Sequence, residues 1–212
     1  MQNKVQAVDI FCGIGGLSYG LKESGIEIMA GIDSDKSCEY AFSKNNQAEF
    51  IGADIRKVES ETINGKWDQG AVKVLVGCAP CQPFSTHSNK NKERKNNEKW
   101  NLLNEFLRVV RETQPEIISM ENVPNLSNQE IFHEFVQELK LERYYVSYSS
   151  VYCPDYGMAQ KRRRLVLLAS KLGRIELIEK THRPTEYITL KEAIGKLPEV
   201  ESGKRHPKEP LH

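Results

Sequence analysis

The chain has 212 residues, 28% of them charged, with 30 Lys and Arg against 29 Asp and Glu for a net charge of +1, and five cysteines. That length allows one sizeable core, or one core with an appendage. The even charge excludes a uniformly basic nucleic-acid coat, no stretch approaches the ~20 apolar residues of a membrane-spanning helix, and an odd cysteine count argues for a reducing interior rather than a disulfide scaffold. The start MQNKVQ is polar and the apolar stretch after it holds Asp9, so no secretory leader is expected and a cytoplasmic protein is.

In chain order, apolar runs predict a strand over 5–11, a helix over 16–24, a strand over 27–32, a helix over 35–45 and a short strand near 49–51. A buried strand follows at Val72–Gly77, then a polar loop over 85–98 and a helix over 99–113. In that helix Leu102, Leu103, Phe106, Leu107 and Val110 recur at helical spacing, and Pro115 stops it. A strand at 116–120, a helix at 128–140 and strands at 144–152 and 164–169 complete the series. Strands alternating with helices imply a mostly parallel, doubly wound α/β sheet. The last two strands have no helix between them, so they form an antiparallel hairpin edge. Beyond about residue 171 the rhythm stops, with one short helix within Ile188–Leu197 and a charged, Pro-containing tail over 199–212. The expected division is a domain over 1–170 and a linker-like segment over 171–212.

The chemistry collects at strand ends. Val72–Gly77 runs into Cys78-Ala79-Pro80-Cys81-Gln82, and Ile117–Met120 runs into Glu121-Asn122-Val123. Ligands of parallel α/β sheets bind at the carboxyl ends of the strands, so the thiol of Cys81 and the carboxyl of Glu121 are expected to face one cleft. A thiol that adds to carbon and a carboxyl that handles a proton make a covalent-catalysis pair. Cys78-x-x-Cys81 also fits a redox pair or half of a zinc site. A structural zinc needs two further ligands, and Cys12, Cys38, Cys153 and His87 stand isolated.

Upstream, Val8–Leu17 reads as a strand, a turn carrying Gly13, Gly15 and Gly16, and a helix. The dinucleotide fingerprint G-x-G-x-x-G fails at Ser18. The turn still suits an adenosine-type cofactor with an anionic group at the helix N-terminus. Asp33 ends the second strand, where an acid meets ribose hydroxyls in nucleoside-binding folds; a helix cap is the alternative. Asp54 ends the third strand. Lys90, Lys92, Arg94, Lys95 and Lys99 form one basic segment and Lys161–Arg164 another, each able to face a duplex or simply water. Arg162 and Arg164 are two apart, so within a strand they share a face.

The ordered set FCGIGG, GIDSD, GADI, GCAPCQPFS, ENV and QKRRR resembles the C5-cytosine methyltransferase family over residues 5 to about 170. The resemblance implies a Rossmann-like S-adenosylmethionine-dependent methyltransferase fold, with S-adenosylhomocysteine as product. It implies double-stranded DNA as substrate, in a restriction-modification setting, and a flipped-out cytosine. Catalytic roles fall to Cys81, Glu121, Arg162 and Arg164, and cofactor contacts to Phe11, Gly13, Ile14, Gly16, Asp33, Asp54, Ile55, Pro80 and Leu102. Arg164 is assigned to the cytosine edge and Arg162 to the catalytic loop and phosphate. One departure is Ala159, where the family commonly has Pro. The family's target-recognition region and its last two motifs are not found here, so a second polypeptide carrying them, or a longer chain, is expected. An RNA cytosine-5 methyltransferase and a catalytically silent cofactor-binding subunit are the competing readings. No metal and no membrane contact are expected.

Overall fold

Alternation within the apolar runs decides which layer each strand residue enters. The computed structural model describes residues 4–80 and 101–198. Its strands are β1 (Val5–Ile10), β2 (Glu27–Asp33), β3 (Glu49–Gly52), β4 (Val72–Gly77), β5 (Ile117–Asn122), β6 (Tyr145–Tyr152) and β7 (Arg163–Ser170). Val8, Ile10, Leu75, Ile118 and Met120 enter one buried cluster, while Ala7, Val74 and Val76 enter another on the opposite face. Both faces are covered, as a parallel sheet requires. Over the first face lie α4 (Asn101–Thr113) and α5 (Glu130–Leu141), whose Phe106 and Phe135 rings meet edge-on at 5.8 Å. The second face is packed by α2 (Glu39–Asn46) through the fully buried Phe42, and by α1 (Gly16–Glu23) through Leu17 and Leu21.

The seven strands lie in the order β3-β2-β1-β4-β5-β7-β6. Pairs β1–β2, β2–β3, β1–β4 and β4–β5 are parallel, and β5–β7 is antiparallel. The sheet is thus mixed but mostly parallel, with the antiparallel edge expected from the missing crossover helix. From β1 the chain runs outward to β2 and β3, then returns to lay β4 on β1's other side. That reversal opens a crevice beyond the carboxyl ends of β1 and β4.

The strands follow the sequence closely, and two of the helices differ from it. The helix expected over 35–45 is split, a 3-10 turn at Lys36–Cys38 preceding α2, because the Asp35 side chain caps Ser37. A further helix, α3 (Ser60–Asn64), occupies a stretch where none is expected, and it buries Ile63. Five residues are too few for helical periodicity to register.

The chain divides into two compact units, Met1–Ser150 with Arg164–Leu177, and Val151–Arg163 with Ile178–His212. The second holds a 3-10 turn at Cys153–Tyr156 and α6 (Leu190–Ile194). Helix α6 is opened by a reciprocal cap in which Thr189 Oγ1 accepts the Glu192 N–H and Glu192 accepts the Thr189 N–H. Among the described residues no helix is long and apolar enough to cross a membrane.

Candidate active site

The turn after β1 is built from left-handed backbone. Phe11, Gly13 and Gly15 have φ of 61°, 51° and 84°. Phe11 is the unusual one, a bulky residue in a region that favours glycine, and such strain persists where surrounding structure over-determines it. Here Cys12 N–H donates to the Ile32 carbonyl at 3.1 Å and Gly15 N–H to the Cys12 carbonyl at 2.9 Å. Gly13 N–H donates to Asp33 Oδ2 at 2.8 Å, and Asp35 N–H to Asp33 Oδ1 at 2.9 Å. Asp33 therefore ties the β1 turn to the end of β2, and each oxygen keeps a lone pair for a further donor.

Under this turn lies an acid that the sequence does not mark as functional. Asp9 is 1% exposed, and Ser18 Oγ on α1 donates to its Oδ2 at 2.6 Å. Its Oδ1 is buried and has no hydrogen-bond partner among the described residues. Burial, reinforced by the Asp33 charge, pushes its carboxyl up to about 7 against the ordinary 3.8. Burial first, then the charges of Asp9 and Asp33, pushes the Cys12 thiol up. Cys12 is held as an inert packing group.

The thiol of Cys78, after β4, is likewise pushed up by burial and by the charges of Glu121 and Asp9. Asn122 Nδ2 on β5 donates to the Ala79 carbonyl at 3.0 Å, and Asn122 Oδ1 accepts the Val123 N–H at 2.9 Å. A buried side chain thus pins the segment leading into Pro80 against the end of β5. Sequence reading passes over Asn122, whose partner lies 43 residues away. Cys81 lies outside the described residues.

Glu121 Oε1 accepts Arg164 Nε at 2.6 Å, with both side chains less than a third exposed. Arg164 stands in β7, antiparallel to β5, two residues from the Val166 that pairs with Glu121. The pair is the diagonal neighbour on one sheet face. Arg162 lies just ahead of β7 and is exposed. The strand face expected to hold both arginines therefore holds only Arg164. Arg163 lays its guanidinium on the Tyr152 ring, 4.8 Å from the centroid.

The other expected site residues are placed as follows. Phe11 and Leu102 are partly buried against the same cluster, into which Ile55 sinks completely, leaving only the Ile55 backbone for a ligand. Ile14 is 64% exposed on the turn. Asp54 caps Arg56 through its N–H and is forked by the Arg56 guanidinium at 2.6–3.1 Å, and that hydrogen bonding holds its carboxyl below the usual range. Among the described residues no group of His, Cys, Asp and Glu could hold a metal.

The profile of C-5 cytosine-specific DNA methylases matches residues 5–211. The chain belongs to that family. It is 46% identical over 199 residues to the type II methylase M.HgiDII of Herpetosiphon aurantiacus, across 92% of this chain and 55% of that one. It is 28% identical to the type II methyltransferase M.AquIA of Picosynechococcus, across 90% of this chain and 88% of that one. The solved structure of the Entamoeba histolytica methyltransferase EhMeth superposes with a TM-score of 0.67 at 22% identity, across 86% of this chain and 58% of that one. At that identity the likeness shows the fold. The chain spans about half the length of most of these curated relatives.

For a DNA methylase of this fold the cofactor to test is S-adenosylmethionine, and the turn fits it. Among the described residues a Cβ at Gly13 or Gly16 would meet nothing within 4 Å, which leaves room over the turn on that side. The exposed side chain of Ile14 offers apolar contact there. The N-terminus of α1 supplies the positive end suited to a carboxylate, and Asp33 has lone pairs for two hydroxyls.

Proposed function

We propose that this chain is the cofactor-binding and catalytic part of a DNA (cytosine-5) methyltransferase of a restriction-modification system. The observation that carries the reading is Glu121 at the end of β5, ion-paired with Arg164, beside the Ala79–Pro80 segment that Asn122 fastens. Bound S-adenosylmethionine supplies the methyl group. Phe11, Ile14 and Leu102 pack its apolar parts, the Gly13–Gly16 turn and α1 receive its carboxylate, Asp33 takes its ribose and Asp54 its adenine amino group. For Asp54 to do so, Arg56 must give up part of its fork. The Ile55 N–H and Pro80 border the pocket.

The cytosine leaves the duplex because C6 cannot be reached within the stack. The Cys81 thiolate adds to C6 while Glu121 engages N3, donating or sharing a proton there on addition and taking it back on elimination. Charge then moves to C5, which takes the methyl group. Water removes the C5 proton, and elimination restores the free thiolate. Arg164 holds Glu121 and reaches the cytosine edge, while Arg162 serves the catalytic loop and a phosphate. The remainder of the family's length, which reads DNA sequence in the groove, is supplied by a longer chain or by a second polypeptide.

The test is tritiated methyl transfer to duplex DNA, with RNA in parallel, by the full-length or complemented enzyme. Cys81→Ala is expected to abolish transfer while leaving cofactor binding near wild type. A 5-fluorocytosine duplex should trap a covalent adduct with the wild type alone, because fluorine at C5 blocks elimination. Near-wild-type transfer by Cys81→Ala would overturn the nucleophile, and transfer to RNA alone would overturn the substrate.

A further inference from the structure

Asp155 is a buried residue of the second unit with several partners, and nothing in the reaction above uses it. It sits in the 3-10 turn Cys153–Tyr156 and is 5% exposed. Its carbonyl accepts the N–H groups of Thr181 and His182 at 2.9 and 3.0 Å. Its carboxylate pairs with Lys180 Nζ at 2.8 Å and accepts the hydroxyl of Tyr187. Both side-chain partners hold the Asp155 carboxyl below its usual range, and the same contact pushes the Tyr187 phenol up to about 12. The segment 180–187 is thereby strapped over the turn. It lies close: a Cβ on Gly157 would meet the His182 ring at 2.8 Å.

The strap connects to the arginine loop by two routes. The Tyr187 ring packs edge-on against Tyr152, with centroids 6.0 Å apart, and Tyr152 carries the Arg163 guanidinium. Next along the chain, Cys153 N–H donates to the Arg162 carbonyl at 2.8 Å, closing the base of the loop 153–162. Arg162 itself extends into solvent, so backbone closure and its neighbours' packing set where its side chain starts.

We propose that Asp155 is a positioning residue for Arg162, acting through the Lys180–Tyr187 strap. This rests on the reading of Arg162 given above. A residue that only staples the 178–198 segment would lower stability alone. One that aims Arg162 would change turnover or DNA use in a way that disappears once Arg162 is gone.

The experiment is a double-mutant cycle in the full-length or complemented enzyme, using Asp155→Asn and Arg162→Ala with kcat, the KM for DNA and cofactor affinity measured separately. Asp155→Asn is expected to lower kcat/KM for DNA by tenfold or more with cofactor affinity unchanged, and to add less than twofold in the Arg162→Ala background. Tyr187→Phe, which removes one hydrogen bond and keeps the ring, should give a smaller loss of the same kind and serves if Asp155→Asn fails to fold. Fully multiplicative losses would overturn the proposal. If Arg162→Ala alone leaves transfer intact, the role of Arg162 falls and the proposal with it, while transfer that still depends on Cys81 would leave the wider reading standing.

Discussion

Arg164 Nε donates to Glu121 Oε1 at 2.6 Å across the antiparallel pair of β5 and β7. The antiparallel strand β7, lying between β5 and the edge strand β6, thus holds the carboxyl group near the end of a parallel strand. Arg164→Ala is expected to lower kcat by about 100-fold, the scale of losing one preorganised electrostatic contact, and stability by about 1–3 kcal/mol. Arg164→Lys should recover little, since an ammonium lacks the planar fork. Methyl-transfer kinetics with urea unfolding checks both. A kcat within threefold of wild type for Arg164→Ala would remove Arg164 from catalysis.

Both oxygens of Asp33 accept backbone N–H groups, and the proposed function also gives it the ribose of the cofactor. Asp33→Ala is expected to weaken S-adenosylmethionine binding by about 1–3 kcal/mol and to loosen the Gly13 turn. Calorimetry on the purified chain reads the first effect. Unchanged affinity would make Asp33 a turn anchor only and send the search for the ribose acid to Asp35.

Much of this was legible because the sheet is buried on both faces. Its strands read as apolar runs, and Asp33, Glu121 and Asp54, at or near the strand ends, stand out as charges against that background. What was not legible lies in tertiary contacts. Asn122 acts on Ala79, and Asp155 on Lys180 and Tyr187, at separations no local pattern encodes. Asp9 looks like a flaw in an apolar strand until α1 brings Ser18 over it. The two-residue spacing of Arg162 and Arg164 suggested a shared face, but β7 begins between them, and periodicity holds only inside a strand.

Asp9 gives the chain a pH signature. Its neighbours are Ser18 from α1, Asp33 from β2, and the raised thiols of Cys12 and Cys78. The native state keeps a proton on this carboxyl up to about pH 7, whereas the unfolded chain releases it near 3.8. Stability assigned to this group is therefore full below the unfolded value, falls as pH rises towards 7, and is flat above. The total is on the order of 4 kcal/mol. Asp9→Asn keeps an acceptor for Ser18 and cannot ionise. Its melting temperature relative to wild type should rise between pH 5 and 8. A difference that stays constant over that range would show that Asp9 does not titrate there.

Gly15 and Gly16 are adjacent, and the structure asks opposite things of them. A Cβ on Gly15 would come within 2.2 Å of Asn46 Nδ2 and 2.7 Å of the Phe42 ring, at a φ of 84° that disfavours side chains. Phe42 is fully buried and Asn46 bonds the Phe42 carbonyl at 3.0 Å, so neither can retreat cheaply. Gly15→Ala should cost roughly 2–4 kcal/mol from overpacking and left-handed strain. Among the described residues a Cβ on Gly16 would meet nothing within 4 Å, and alanine suits the first turn of a helix. Gly16→Ala should keep the melting temperature within about 2 °C of wild type, a surface-sized change. It should nonetheless weaken S-adenosylmethionine binding tenfold or more, because the methyl group enters the room left for the ligand. Thermal melts with calorimetry on both variants separate the two demands. A Gly16→Ala variant with wild-type affinity would mean that the cofactor does not lie over this turn.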